Sequence, residues 1–199
     1  MKIVRAADCR IVPWKNGGGA TTEIAVEPDN ASLDEFDWRI SMARVASDGP
    51  FSEFVGTDRS LAVVTGRGLV LGIGDAADVV LDAASDPIRF AGDTPTSARL
   101  LAGAIVDLNV MTRRGRYDHR LQRVNASTIF DFGDHRIAAV VAPSGEVSLI
   151  VRQRTVTLMP GDSAILTSTA DAPCQIVPAP ATACYLVLLH EGGRQIGSA

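Results

Sequence analysis

Short apolar segments, separated by turn-forming residues, dominate the pattern of hydrophobic positions along this chain. Turn signals such as Thr65-Gly66 and Gly92-Asp93 follow these segments at short intervals. Many short strands with regular turns are typical of a β-sandwich or a β-barrel. The pattern predicts strands at residues 21–26, 37–44, 60–64, 68–71, 88–90, 98–101, 107–112, 136–142, 146–151, 155–158, 164–166, 175–177 and 184–190. Residues 32–36 and 115–123 are predicted to form one or two helical turns each.

The strand pattern of the first half recurs in the second half. Residues 61–71 follow the order strand, glycine turn, strand, and a later strand ends in Gly-Asp at residues 92–93. Residues 137–151 repeat this order, and the next strand ends in Gly-Asp at residues 161–162. This order is typical of the double-stranded β-helix of cupins, although a generic β-sandwich has a similar pattern. We therefore expect an all-β bicupin with two double-stranded β-helix (jelly-roll-like) barrels in one compact unit, 1–199, with approximate halves 1–114 and 115–199.

Composition and charge exclude several classes of protein. Hydrophobic residues make up 46% and charged residues 21% of the chain, so we expect a folded globular protein. The net charge of -4 argues against nucleic-acid or anionic-membrane partners, although arginines are clustered at residues 113–123. The N-terminus does not resemble a signal peptide, and no segment is apolar for the length that a bilayer requires. The expected location is therefore the cytoplasm.

Histidine is rare, which bears on metal binding. The chain has 3 His, and the first is His119, so the His-x-His spacing of metal-binding cupins is absent. Because neutral imidazole is the usual ligand for such ions, we expect no metal site and no cofactor. His119 beside Asp118 could form an acid–base pair, but a position in a surface loop is the more common arrangement.

Several predicted strands carry one apolar and one polar face, because alternate residues point to opposite sides. In residues 37–43, Arg39 and Ser41 lie opposite an apolar face, and in residues 107–113 Asp107, Asn109, Met111 and Arg113 do so. In residues 21–26, Glu23 lies opposite a face formed by Thr22, Ile24 and Val26. If these faces line a barrel interior, they form a cavity suited to a ligand. If they point outward, they are ordinary solvated faces. The planar fork of arginine suits a carboxylate, because it can donate two parallel hydrogen bonds.

A second candidate binding segment is the glycine run at residues 17–19, which follows Lys15 and Asn16. Consecutive backbone N–H groups can form an anion-binding nest, and Lys15 would add a positive charge there. The alternative is a flexible turn that leads into the first predicted strand. The segment is not a phosphate-binding loop, because the GxxxxGK[ST] pattern is missing.

Five motifs together resemble the HutD/Ves family. They occupy residues 13–24, 37–43, 48–59, 90–93 and 107–115, and their order and approximate spacing match that family. The resemblance implies a bicupin fold and a link to histidine utilisation, the pathway of histidine catabolism. It also implies binding of a small pathway metabolite, such as a formylated glutamate or urocanate. The resemblance does not imply a particular catalytic activity, because none is firmly established for that family.

The sequence thus predicts a binding or regulatory protein rather than a catalyst. The expected partner is a small-molecule carboxylate ligand, and the assembly is left open between a monomer and a homodimer. The predicted ligand-binding residues are Trp14, Lys15, Asn16, Gly17, Gly18, Glu23, Arg39, Ser41, Asn109, Met111 and Arg113. Two alternatives stay open. One is a metal-independent cupin isomerase or hydrolase with Glu23 as its acid–base group, and the other is a partner-binding β protein without a pocket.

Overall fold

The computed structural model describes residues 1–14, 20–171 and 173–192, in which nearly all regular structure is antiparallel β-sheet. The strands up to residue 113 are β1 (Lys2–Val4), β2 (Arg10–Pro13), β3 (Ala20–Glu27), β4 (Trp38–Val45), β5 (Gly49–Pro50), β6 (Thr57–Thr65), β7 (Leu69–Ile73), β8 (Val79–Leu81), β9 (Ile88–Ala91), β10 (Thr96–Leu100) and β11 (Ile105–Arg113). A short 3₁₀ helix, Ala6–Asp8, lies between β1 and β2.

The strands after residue 113 repeat this arrangement. They are β12 (Tyr117–Val124), β13 (Thr128–Phe130), β14 (Ile137–Val141), β15 (Val147–Val151), β16 (Arg154–Leu158), β17 (Ser163–Thr167), β18 (Cys174–Pro178) and β19 (Cys184–Glu191). One helical turn, α1 (Ser168–Asp171), follows β17. The fold is all-β, as the strand pattern predicts. No helix in the described ranges reaches the length and apolar character that a bilayer crossing demands.

The described strands form four sheets. The first half contains a six-stranded sheet, β2-β3-β4-β11-β6-β9, and a four-stranded sheet, β5-β10-β7-β8. The second half contains a five-stranded sheet, β1-β17-β14-β19-β12, and a four-stranded sheet, β13-β18-β15-β16. Strand β1 therefore lies in a sheet of the second half, although its residues belong to the first half in sequence. The expected division at residues 114 and 115 falls in the turn between β11 and β12, and as a domain boundary it stays a prediction.

A shared apolar core joins the two halves. Ile40 of β4 and Val110 of β11 are fully buried and pack in one cluster with Ala139 of β14 and Val187 of β19. This cluster buries one face of the six-stranded sheet against the five-stranded sheet. Because side chains alternate along a strand, the opposite face of β4 and β11 must point into the first barrel. The polar residues of these strands therefore line an interior space.

Two local predictions are wrong, and each has a physical reason. Residues 115–123 do not form helical turns, because they form β12 and pair with β19 from Tyr117 to Val124. A β-bulge between Glu23 and Ala25 shifts the register of β3 against β4. The extra residue brings Val26 opposite Arg39, on the face that carries Glu23, whereas strict alternation would place Val26 on the other face.

Candidate functional site

The interior face of the six-stranded sheet borders a cleft of about 90 Å³. That volume corresponds to about three water molecules at about 30 Å³ each, which is enough for a small polar group such as a carboxylate. The polar side chains that line the cleft are Thr21, Arg39, Ser41, Ser52, Glu53, Arg59, Asp107 and Asn109. Its apolar wall includes Trp14, Phe51, Phe54 and Met111. A pocket with an apolar wall and a few convergent polar groups is the usual form of a small-molecule site.

Sheet register explains why residues so distant in sequence meet here. Met111 of β11 lies opposite Arg39 of β4 on one side and opposite Arg59 of β6 on the other. Two residues before Met111 on β11, Asn109 lies opposite Ser41 of β4. Cross-strand neighbours on one face are close enough for their side chains to interact, so the pairing brings the polar residues of β4, β6 and β11 together.

Arg39 is a buried cation with an incomplete set of partners. Its residue is 4% exposed, and its Nε donates a hydrogen bond of 2.9 Å to Oε2 of Glu23. Its Nη2 atom is buried and has no hydrogen-bond partner among the described residues. A buried donor without an acceptor is costly, and more so when it carries charge. An acceptor atom of a ligand in the cleft would remove that cost.

Arg59 is held in one position by stacking and hydrogen bonding. Its Nε and Nη2 donate to Oδ1 of Asn109 over 2.8 and 2.6 Å, and its guanidinium lies 4.6 Å from the ring centre of Phe51. The amide Nδ2 of Asn109 donates a 2.8 Å hydrogen bond to Oδ1 of Asp107. Asn109 therefore links a buried arginine to a buried carboxylate at the cleft.

Burial shifts the pKa of both charged ends of this chain. Burial lowers the pKa of Arg59 to about 10, with the charge of Arg39 adding to the effect and that of Asp107 opposing it. Burial raises the pKa of Asp107 to about 6, against the opposing effects of Arg59 and of the hydrogen bond from Asn109. Arg59 thus stays cationic at neutral pH, whereas Asp107 changes its charge at a pH close to neutral.

The structure brings only part of the predicted ligand-binding set to this cleft. Trp14, Arg39, Ser41, Asn109 and Met111 line it. Glu23 is 8% exposed and contacts the cleft through its hydrogen bond to Arg39. The predictions for Lys15, Asn16, Gly17 and Gly18 fall outside the described residues. As ligand contacts, all of these residues stay predictions.

Arg113 lies at the end of β11, and its guanidinium is directed at a loop rather than at the cleft. Its Nε donates to the carbonyl oxygen of Phe36 over 3.0 Å, and its Nη2 donates to the carbonyl oxygen of Asp34 over 2.6 Å. The same loop supplies Leu33 to the cleft wall. Arg113 therefore does not line the cleft, but it helps to position the loop that contributes Leu33 to the cleft wall.

Sequence reasoning did not single out Arg59 or Asp107 as site residues. The signal for Arg59 is weak, because the predicted strand begins at residue 60 and does not include it. In the structure β6 begins at Thr57, so Arg59 lies on the same face as Leu61. Asp107 shares the alternation of Asn109 and Met111, and the strand pattern already places it on their polar face without marking it as a ligand contact.

A second buried polar cluster lies where the two halves meet. His119 is 3% exposed and lies on β12, which corrects the interpretation of this residue as part of a surface loop. Its Nδ1 is 2.7 Å from Oγ1 of Thr112, and its Nε2 is 2.8 Å from Oγ of Ser60. The Asp118 carboxylate pairs with Arg89, not with the imidazole. Burial lowers the pKa of His119 to about 4, so the ring is neutral at pH 7.

The described part of the chain contains no cluster of three or more His, Cys, Asp or Glu side chains arranged to hold a metal ion. The charged residues that line the cleft in the described part of the chain are Arg39, Glu53, Arg59 and Asp107. The buried Nη2 of Arg39, which has no acceptor among the described residues, suits a carboxylate oxygen of an organic ligand.

Sequence comparison finds a family model and relatives that match much of this chain. The family model HutD matches residues 6–184. A 21.2 kDa protein from the hutC 3' region of Pseudomonas putida is 39% identical over 123 residues, which are 61% of this chain and 63% of that protein. Protein Ves of Citrobacter koseri is 37% identical over 130 residues, 63% of this chain and 66% of Ves. Each match thus spans just under two thirds of the relative's length.

Structural comparison extends the similarity over nearly the whole chain. HutD from Pseudomonas fluorescens SBW25, solved in a formate condition, matches with a TM-score of 0.82 and 30% identity. That match covers 96% of this chain and 99% of that one. A cupin 2 conserved barrel domain protein from Leptotrichia buccalis matches at a TM-score of 0.51 and 13% identity, over 92% and 89% of the two chains. The predicted cupin architecture is therefore confirmed.

Proposed function

Because this chain belongs to the HutD family, we propose that it binds a small carboxylate metabolite, of the formylglutamate or urocanate type, in the cleft beside Arg39. In this proposal the protein regulates histidine utilisation through the ligand that it holds. Arg39 supplies the charge that attracts the carboxylate. Ser41 and Asn109 orient the ligand, and Trp14 and Met111 form the apolar wall.

The incomplete hydrogen bonding of Arg39 is the observation that carries this proposal. Its buried Nη2 has no acceptor among the described residues, although its Nε is already held by Glu23. A carboxylate oxygen of a ligand would accept from Nη2 through a charge-assisted hydrogen bond, which is among the strongest that proteins make. The Glu23 contact fixes the guanidinium in advance, so the ligand need not order it.

The names of the relatives support a place in histidine utilisation. The Pseudomonas putida relative carries the hutC 3' region in its name. A regulator of histidine breakdown would have to sense a metabolite of that route, and its carboxylated metabolites suit a cleft with a buried arginine.

Isothermal titration calorimetry tests ligand binding directly. We expect N-formyl-L-glutamate, urocanate, glutamate or formate to bind with a dissociation constant below about 1 mM, because a charge-assisted hydrogen bond forms in a desolvated site. Imidazole, which lacks a carboxylate, serves as the control and should give no heat. The bound ligand should also raise the melting temperature, since it stabilises only the folded state. The absence of both heat and a thermal shift with all four compounds at millimolar concentration would contradict the proposal.

A metal-independent cupin enzyme that acts on a related metabolite is the second candidate function. The observation that favours it is Asp107, a buried carboxyl whose pKa of about 6 is suited to general acid–base catalysis near neutral pH. The acid–base role predicted for Glu23 is less suited, because its Oε2 accepts a hydrogen bond from Arg39. Proton NMR of the candidate ligands incubated with the protein distinguishes the two functions. New product signals that disappear with Asp107→Asn would favour the enzyme.

A further inference from the structure

We propose that ligand binding in this cleft is coupled to the uptake of one proton by Asp107, so that the protein responds to pH as well as to its metabolite. This coupling rests on the proposed function, because it concerns the same carboxylate ligand. The proton comes from solvent and forms an O–H bond on the Asp107 carboxylate. The ligand remains an anion throughout.

The geometry places Asp107 and the proposed ligand in the same cleft, so their negative charges repel each other. Asp107 lines the cleft and is 1% exposed, so water screens its charge poorly. Asn109 lies between its Oδ1 and the guanidinium of Arg59, with hydrogen bonds of 2.8 Å on the Asp107 side and 2.6 and 2.8 Å on the Arg59 side. A carboxylate that enters the cleft adds a second negative charge near this guanidinium.

Charge balance gives the direction of the coupling. The described groups that carry charge and line or border the cleft are Glu23, Arg39, Glu53, Arg59 and Asp107. Arg39 is paired with Glu23, Glu53 is exposed at the rim, and Arg59 faces Asp107 through Asn109. The two buried arginines are therefore already balanced by two buried carboxylates when Asp107 is ionised. An anionic ligand leaves the buried site with excess negative charge unless Asp107 becomes neutral.

Asp107 is suited to this role because its carboxyl can change charge without losing its contacts. A protonated carboxyl keeps an oxygen that can accept the hydrogen bond from Nδ2 of Asn109. The pKa of Asp107 is raised to about 6 in the free protein, so a nearby anion needs to raise it by only one or two units to cause proton uptake at pH 7. The bound ligand in turn gains affinity as the pH falls, because linkage is reciprocal.

Titration calorimetry with N-formyl-L-glutamate between pH 6 and pH 8 tests the coupling. The carboxylates of the ligand stay ionised in this range, so they do not contribute to the pH dependence. We expect the wild-type dissociation constant to fall roughly five- to twentyfold from pH 8 to pH 6. At pH 7 the observed heat should differ between phosphate and Tris, because the buffer supplies the proton. This readout needs no variant and so does not depend on how a variant folds.

The variant Asp107→Asn imitates the neutral carboxyl and identifies the group. We expect its affinity to be independent of pH and to exceed that of the wild type at pH 8. Glu53→Gln, which removes the exposed carboxylate at the rim, is the matched control and should retain the wild-type pH dependence. Tight binding by the wild type without pH dependence would overturn the coupling but not the proposed function. Binding by Asp107→Asn that still depends on pH would also overturn the coupling. Absence of binding at every pH would contradict the proposed function, and the coupling with it.

Discussion

Arg39→Gln is expected to weaken the binding of N-formyl-L-glutamate by about two to three orders of magnitude. Truncating one partner of a buried, hydrogen-bonded charge pair typically costs about 2–5 kcal/mol of binding free energy. Arg39 offers the ligand a donor that no described residue satisfies, and glutamine has neither the charge nor the reach to replace it. Titration calorimetry of the variant and the wild type under the same conditions measures the loss.

This substitution also affects folding, so the ligand effect needs its own controls. Arg39→Gln leaves Glu23 as a buried charge without its partner, which costs about 3–5 kcal/mol of stability. The double variant Arg39→Gln/Glu23→Gln removes that charge and should recover part of the melting temperature but not the binding. Arg89→Gln removes an arginine that pairs with carboxylates outside the cleft and should bind within about twofold of the wild type. Wild-type affinity in the stable double variant would show that the carboxylate is held elsewhere.

Substitutions at His119 and Asp107 are expected to change the pH dependence of stability in opposite directions. His119 has a pKa of about 4 in the folded protein, below its ordinary value of 6.5, so the unfolded chain binds the proton more readily. Its contribution is complete above pH 6.5 and is lost as the pH falls towards 4, by up to about 3 kcal/mol. Asp107 is raised from 3.8 to about 6. Its contribution is complete below pH 3.8 and is lost as the pH rises through 6, by a similar amount of about 3 kcal/mol.

Urea unfolding at several pH values between 4 and 6.5 checks this prediction. In the wild type the two groups offset each other over this range. Asp107→Asn leaves the His119 effect unopposed, so its free energy of unfolding should fall relative to the wild type as the solution is acidified. His119→Gln leaves the Asp107 effect unopposed, so its relative stability should rise instead. Because all other titrating groups are shared, a difference from the wild type that does not change with pH would contradict the assigned cause.

The strand pattern predicted the fold well because alternation and turn signals act locally. In β4 and β11, each polar position lies beside an apolar one, and burial of the apolar face in the shared core fixes the side of Arg39 and Asn109. Alternation does not predict the faces of β3 correctly, because the bulge after Glu23 places Val26 on the same face as Glu23. A bulge depends on the partner strand, so alternation within one strand does not reveal it.

The missed parts of the site share a cause, which is that their role depends on pairing between distant strands. Arg59 reaches the cleft because β6 pairs with β11 and places it opposite Met111. Residues 117–124 form a strand because β19 pairs with them, although their mix of charged and apolar residues also fits a helical turn. The burial of His119 between the halves follows from that same pairing. Such tertiary contacts override local preference.

A crystal structure of the protein soaked with N-formyl-L-glutamate tests the central claim most directly. The account predicts one carboxylate of the ligand in the cleft, with an oxygen within about 3 Å of Nη2 of Arg39. It also predicts that the hydrogen bonds from Arg59 to Asn109 are retained. A cleft without ligand at a concentration that saturates binding in solution, or a ligand bound away from Arg39, would contradict the account.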